Sequence, residues 1–413
     1  MKSFLTIFFG CFTLSIIAQP LTIHSPESVG MSSKRLERLN EQMHQFVDKG
    51  QISAVQTAVY RRGKLIHFDN YGYQDVESQK AIDDNSIWRI YSMTKPIVSV
   101  ALMMLYEEGK FQLYDPLHKY IPELKEMEYH VGGEETKPVT EPIRVVDILR
   151  HTSGFGYGWG PGNYVDSLYR TVDRRKMKDN AAFVKGLAKL PLYYAPGKGW
   201  RYSVSTDVCG YLVEVLSELP LDQYLEEKIF QPLKMKDTHF EVPDEKDDRF
   251  VTNYTTKDDK IVVLDHPSKS RYTKEVTMFS GGGGLVSTTN DYLRFCRMLL
   301  DGGQLEGERL LSRKTIELMT ADHCKDISHA GGPIVLPARG TGFGLGFGVT
   351  TKLATTQMTG SVGAYGWGGA AGTYFRVDPK EELIYIMMIQ LMPYNHLQAR
   401  EKFQTMVYQA IID

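Results

Sequence analysis

The stretch from Ile97 to Leu105 reads Ile-Val-Ser-Val-Ala-Leu-Met-Met-Leu, apolar almost all the way round. A helix without a polar face has to be enclosed by a large protein, so this stretch predicts a central helix packed on every side. Pro96 lacks an N–H and is tolerated only in a helix's first turn. Gly109, after Glu107-Glu108, is a C-terminal stop. The helix therefore begins close to Ser92, the only serine in the chain with a lysine three positions later. Three residues are nearly one turn, so Ser92 and Lys95 share a face. Ser92 lies beside free backbone N–H groups and the positive end of the helix dipole. The same dipole disfavours an ammonium on Lys95 and helps make that lysine a base. A serine hydroxyl is a poor nucleophile without an adjacent base, so the pair is a candidate nucleophile and base.

Around this helix the chain reads in a definite order. Lys34 to Val47 has helical spacing at Leu36, Leu39, Met43 and Phe46. Ser53 to Tyr60 and Leu65 to Tyr71 are two strands about the turn Arg61-Arg62-Gly63-Lys64, hence a hairpin. Asp115 to Leu124 reads as a loop and short helix, and the polar run Val131 to Glu141 as an exposed loop. Ile143 to Leu149, Ala181 to Leu187, Thr206 to Leu216 and Leu221 to Ile229 read as helices. After Met278, the glycine run Gly281 to Gly284 leads into a helix, Asp291 to Leu300, which Thr289, Asn290 or Asp291 can cap. Gly342 to Thr351, Gly366 to Val377 and Leu383 to Gln390 read as strands, and His396 to Ile411 as a closing helix. Strands at both ends with helices between imply a sheet whose two parts meet and carry a helical insertion. The expected division is a sheet subdomain of about 20–90 and 276–413 and a helical subdomain of about 91–275, with the site at their seam.

A chain of 413 residues exceeds the usual single core, which fits one large or two intimately joined domains. A net charge of −2 gives no basis for expecting nucleic acid. Met1 to Gln19 reads as a cleaved secretion signal: Lys2, the apolar run Phe4 to Ile17, then Ala18 before Gln19-Pro20. It is too short for a comfortable span, and no later segment resembles one. The mature chain is then expected to be periplasmic or secreted. The rival is a lipoprotein anchored through Cys11, which Phe8-Phe9-Gly10-Cys11 matches poorly because the apolar run continues past the cysteine. Cys209, Cys296 and Cys324 form no disulfide framework and have no metal-ligand spacing with histidine. Cys209 and Cys296 lie in apolar helical patterns and are expected to be buried. No metal and no cofactor are expected.

Two further landmarks follow Ser92-x-x-Lys95. One is Trp200-Arg201-Tyr202-Ser203-Val204-Ser205-Thr206-Asp207, between the turn Pro196-Gly197 and a helix. The other is Tyr365-Gly366-Trp367-Gly368-Gly369-Ala370-Ala371-Gly372. With His151-Thr152-Ser153-Gly154, Pro232-Leu233-x-Met235-x-Asp237-Thr238 and Gly282-Gly283-Gly284-Leu285-x-Ser287-Thr288, the chain resembles the serine β-lactamase and penicillin-binding protein superfamily. Within it the chain looks most like the class C β-lactamase-related carboxylesterases, over about residues 25 to 410. The resemblance implies an antiparallel sheet flanked by helices, with a mainly helical insertion. It implies Ser92 as nucleophile, with Lys95 and Tyr202 sharing its proton. It assigns the oxyanion donors to the backbone N–H groups of Ser92 and Ala370. Trp367, Gly368 and Gly369 fall where the superfamily has Lys-Thr-Gly or His-x-Gly, and are carried as substrate-binding positions. The two glycines would let a substrate approach the backbone. Asp207 is carried with them, and its own residues leave open a hydrogen bond near Tyr202 or a helix cap. His151 suggests a Ser–His triad, but in the family that phrase is a structural turn. Gly281 to Gly284 lacks the lysine of a phosphate loop.

The motif departures bear on substrate. Tyr202-Ser203-Val204 replaces Tyr-x-Asn, so the amide that would bind a lactam or peptide side chain is missing. Trp367 replaces a cationic or histidine residue. A carboxylate-bearing β-lactam or D-alanine terminus loses natural partners unless Arg201 or Arg339 compensates, whereas an ester with an apolar acyl group loses none. The expected activity is hydrolysis of small carboxylic esters, on a small-molecule ester or amide substrate. The alternatives are a β-lactamase or D-amino-acid-specific peptidase, and a catalytically silent penicillin-binding or sensor protein, against which intact Ser92, Lys95 and Tyr202 argue.

Overall fold

The computed structural model describes residues 21–160, 162–327 and 340–413, with Arg175 described by its backbone alone. The expected signal Met1–Gln19, with Cys11, and Arg339 lie outside the described residues.

Helix α1 (Ser33–Asp48) is capped by Ser32, whose side chain accepts from the Arg35 N–H, and it buries Leu36, Leu39, Met43 and Phe46 as their spacing predicts. The hairpin follows: β1 (Ala54–Arg61) and β2 (Lys64–Asp75) turn at Arg62 and Gly63, both at positive φ (46° and 81°). That is the backbone a two-residue hairpin needs. After β3 (Lys80–Ala81) come α2 (Thr94–Glu107), α3 (Ser205–Ser217) and α4 (Thr289–Leu300). The strands β4 (Thr341–Phe343), β5 (Gly348–Thr350), β6 (Tyr365–Gly368), β7 (Tyr374–Asp378) and β8 (Leu383–Met388) precede α5 (Ala399–Tyr408).

All eight strands join one sheet in the order β4-β5-β6-β7-β8-β1-β2-β3. Each neighbouring pair is antiparallel, and β8 meets β1 with Ile386 opposite Ala58. Chain start and chain end are thus knitted through β1 and β8. Alternate residues serve opposite faces. Val55, Val59, Tyr385 and Met387 pack with Leu39, Phe46, Phe403 and Val407 under α1 and α5. Ala54, Ala58, Ile384 and Ile386 join the larger core with α2 and α4. Helix α2 is enclosed: every residue from Lys95 to Met103 is buried. Cys209, Cys296 and Cys324 are free and buried. Among the described residues no helix is long and apolar enough to cross a membrane.

Several segments differ from their expected form. Gly342 to Thr351 is the hairpin β4–β5 rather than one strand, turning through Gly346 at φ 95°. A Cβ there would lie 2.3 Å from the Ser99 hydroxyl of α2, so the glycine lets the turn dock on the central helix. Gly366 to Val377 is likewise two strands, split where the Gly369 N–H binds the Thr373 carbonyl. Part of the polar run Val131 to Glu141 forms a small hairpin, Glu128–Gly132 with Glu135–Pro138. Leu221 to Ile229 is α-helical only over Leu221–Leu225 and then widens to a π turn, Glu226–Phe230. Thr288, one residue before the expected candidates, caps α4 by accepting from the Asp291 N–H.

Candidate active site

The chain reaches Ser92 through the short ladder Trp88–Arg89, paired with Val286–Ser287, and a single 3-10 turn, Tyr91–Met93. Tyr91 sits at φ 44°, a conformation that costs a non-glycine residue energy and persists only where its surroundings impose it. The imposition is visible: Asn253 Nδ2 donates to the Tyr91 hydroxyl at 3.0 Å, and the ring stands edge-on to Tyr272 at 6.4 Å. This kink aims Ser92 out of the helix end.

Two side chains converge on the Ser92 Oγ. Lys95 Nζ lies 3.1 Å away and the Tyr202 hydroxyl donates from 2.7 Å. Lys95 is 1% exposed, and its Nζ also donates to the Gly282 carbonyl at 2.5 Å. Burial pushes the Lys95 ammonium down to about 7; Asp207 opposes that shift and Arg174 adds to it. Lys95 is therefore neutral above that pH, with a lone pair for the serine proton. Burial pushes the Tyr202 phenol up to about 12 against its hydrogen bonds to Ser92 and Trp367, so at neutral pH it is protonated and donates. Tyr202 is held among Trp200, Phe343, His151 and Trp367. His151 faces the Tyr202 ring at 5.0 Å, bonds Ser203 Oγ at 3.2 Å and is driven by burial well below its usual pKa. It sits at φ 60° in a turn and has no bond to Ser92, in keeping with a structural part.

Asp207 has no direct bond to Tyr202 and does not cap α3 with its side chain. It is buried on α3 and accepts from Ser280 Oγ and from the Gly282 N–H (3.2 Å), with Arg174 Nη1 at 3.4 Å. A Cβ on Gly282 would fall 2.4 Å from its Oδ2. The carboxylate thus clamps the glycine loop whose carbonyl holds Lys95. That is the use of the Gly281 to Gly284 run.

Gly368 and Gly369 are closely packed by other parts of the chain. A Cβ on Gly368 would meet the Arg400 guanidinium at 2.4 Å, and one on Gly369 the Ile90 carbonyl at 2.4 Å. At each, the space a side chain would need is taken by protein groups. Arg400 donates to the carbonyls of Gly369 and Thr373, fastening the turn that carries Ala370. Ala370 is exposed, and its N–H takes no partner among the described residues. Trp367 is half-buried and donates its Nε1–H to the Tyr202 oxygen at 3.3 Å.

A cavity of about 310 Å³ opens beside Ser92. Tyr91, Tyr157, Arg174, Arg271, Tyr272 and Ala370 are among the residues that line it. Tyr202, Trp367, Gly368, Gly369 and Asp207 do not line it. Arg174, Arg271 and Arg400 escaped the sequence reading, and Gly282 entered it only as part of the glycine run. Among the described residues no cluster of His, Cys, Asp and Glu suits a metal ion.

The chain has relatives among known proteins. The β-lactamase family model matches residues 39–408. This chain belongs to the β-lactamase family. Members of the family are serine hydrolases. Protein Rv1367c of Mycobacterium tuberculosis is 33% identical over 362 residues, covering 85% of this chain and 89% of that one. A Salmonella enteritidis protein named "Putative D-alanyl-D-alanine carboxypeptidase" is 26% identical, covering 89% and 85%. Among solved structures, "EstCE1, a hydrolase with promiscuous acyltransferase activity" superposes with a TM-score of 0.77 at 22% identity, over 91% of this chain and 98% of that one. The fold is therefore that of the β-lactamases and transpeptidases, as the sequence landmarks imply.

Proposed function

We propose that this β-lactamase-family protein hydrolyses small carboxylic esters through an acyl-enzyme on Ser92. The observation that carries the reading is the convergence of Lys95 and Tyr202 on one serine oxygen, with the lysine poised near neutrality. The Ser92 oxygen attacks the ester carbonyl carbon while its proton passes to the neutral Lys95 amine. The oxyanion is received by the N–H groups of Ser92 and Ala370. The alkoxide leaves with the Tyr202 proton, which Lys95 replaces. Water then attacks the acyl carbon, gives its proton back through the same pair, and frees Ser92. The Met1–Gln19 sequence adds export from the cytoplasm to this reading. Rapid quenching with 4-nitrophenyl butyrate, followed by peptide mass spectrometry, is expected to find a butyryl group on the Ser92 peptide. A butyryl group on another serine, with none on Ser92, overturns the assignment.

Two pH effects follow. Because Lys95 acts as the unprotonated amine and its conjugate acid titrates near 7, kcat/KM is expected to rise with pH through about 7 and then level. A stopped assay from pH 5 to 9 checks this, and a rate independent of pH across 6 to 8 contradicts it. The Asp207 charge holds the Lys95 pKa up. Asp207→Asn is therefore expected to move that acid limb to lower pH, and a limb moving to higher pH would contradict the electrostatic account.

A further inference from the structure

We propose that the cavity beside Ser92 takes an acyl chain ending in a carboxylate, anchored by the Arg271 guanidinium. This rests on the ester-hydrolase reading above. In that reading the leaving alkoxide departs on the side of its proton donor, Tyr202, which is backed by Trp367. Neither residue lines the cavity, which runs from Ser92 and Ala370 past Tyr91 and Tyr272. The cavity therefore holds the other half of the ester, the acyl chain.

Much of its lining is apolar or aromatic, with Tyr157 and Trp159 stacked at 4.1 Å. Two guanidiniums also line it. Arg174 is committed to Asp207 at 3.4 Å and to the face of Tyr157 at 5.2 Å. Arg271 is exposed, and its hydrogen bond goes to the Tyr272 hydroxyl at 2.9 Å. Among the described residues it forms no ion pair with a carboxylate, and the residues outside the description contain no Asp or Glu. Glu275 lines the same cavity without pairing to it. Arg271 is also well stationed. Its guanidinium lies 4.8 Å from the Tyr272 ring, and the Tyr272 hydroxyl bonds the Gly283 carbonyl at 3.2 Å, one residue from the carbonyl that holds Lys95. A guanidinium offers a planar fork of donors that matches a carboxylate in both geometry and charge. An uncharged chain of equal length leaves that fork to water.

The test compares monoethyl succinate, glutarate and adipate with ethyl butyrate, ethyl pentanoate and ethyl hexanoate at low ionic strength, following released acid. At least one half-ester is expected to exceed its uncharged counterpart in kcat/KM by about tenfold or more. Arg271→Gln should erase that ratio, Arg271→Lys retain part of it, and Lys274→Gln, an exposed neighbour, leave it intact. Calorimetry on Ser92→Ala separates recognition from chemistry: monoethyl glutarate should bind more tightly than ethyl pentanoate, and the further change Arg271→Gln should remove the difference. Uncharged esters cleaved as well as the half-esters overturn this inference and leave the hydrolase reading standing. No ester cleaved at all overturns the hydrolase reading, and the calorimetry still decides the carboxylate site. If 2-acetoxypropanoate, whose carboxylate sits on the leaving group, is the substrate that depends on Arg271, the acyl-side placement is wrong.

Discussion

Ser92→Ala is expected to lower ester turnover by ~10⁴-fold or more, the scale seen when the nucleophile of a serine hydrolase is removed. It should also abolish covalent labelling by a fluorophosphonate. The fold should hardly notice. Ser92 is half-buried and its hydroxyl takes two hydrogen bonds, while Lys95 keeps the Gly282 carbonyl and Tyr202 keeps Trp367. A stability change within about 1 kcal/mol is expected, read from denaturant unfolding of both proteins. Labelling that persists in the variant and maps elsewhere would dismiss Ser92.

Lys95→Met and Tyr202→Phe are each expected to lower kcat by about 10²-fold or more, as loss of a positioned proton transfer does. The methionine keeps the buried stem of Lys95 and removes the amine. The phenylalanine keeps the ring among Trp200, Phe343 and His151 and removes the hydroxyl. Because both groups handle one proton, the double variant should lose far less than the product of the two single losses. Steady-state kinetics of the four proteins measures this. A Tyr202→Phe enzyme with unchanged kcat would take Tyr202 out of the mechanism, and fully multiplicative losses would mean that the two groups act on separate steps.

The parts of this site that could be read in the sequence are those whose chemistry is local. Ser92 and Lys95 are three residues apart on one helix, and Pro96 and the apolar run fix where that helix begins. The hairpin of β1 and β2 announces itself by alternation about Arg62-Gly63. The parts that were not legible depend on contacts between distant segments. Nothing near Asp207 says that its partners are Ser280 and Gly282, more than seventy positions away. Nothing near Gly368 says that Arg400, from the last helix, packs against it. The cavity is lined largely from loops: Tyr157, Arg174, Arg271 and Ala370 lie in irregular segments or short turns. Such segments carry no periodic signal. Tyr91, whose strained backbone aims the nucleophile, is an ordinary tyrosine in sequence, and its φ of 44° has no local signal.

The central claim is that esters, not lactams or D-alanyl peptides, are the substrates. The Tyr202-Ser203-Val204 turn offers no amide to an acylamino side chain, and the Trp367 N–H is spent on Tyr202. A lactam loses two polar partners there, each worth roughly 1–3 kcal/mol when the group bound is charged. Its tethered amine also stays in the site, whereas an ester's alkoxide departs. The most direct measurement is kcat/KM for 4-nitrophenyl butyrate, nitrocefin and a D-alanyl-D-alanine peptide on one preparation of the purified protein. The ester is expected to lead by at least ~100-fold, the factor that about 2.7 kcal/mol of transition-state binding produces. Nitrocefin or the peptide emerging as the better substrate would contradict the account.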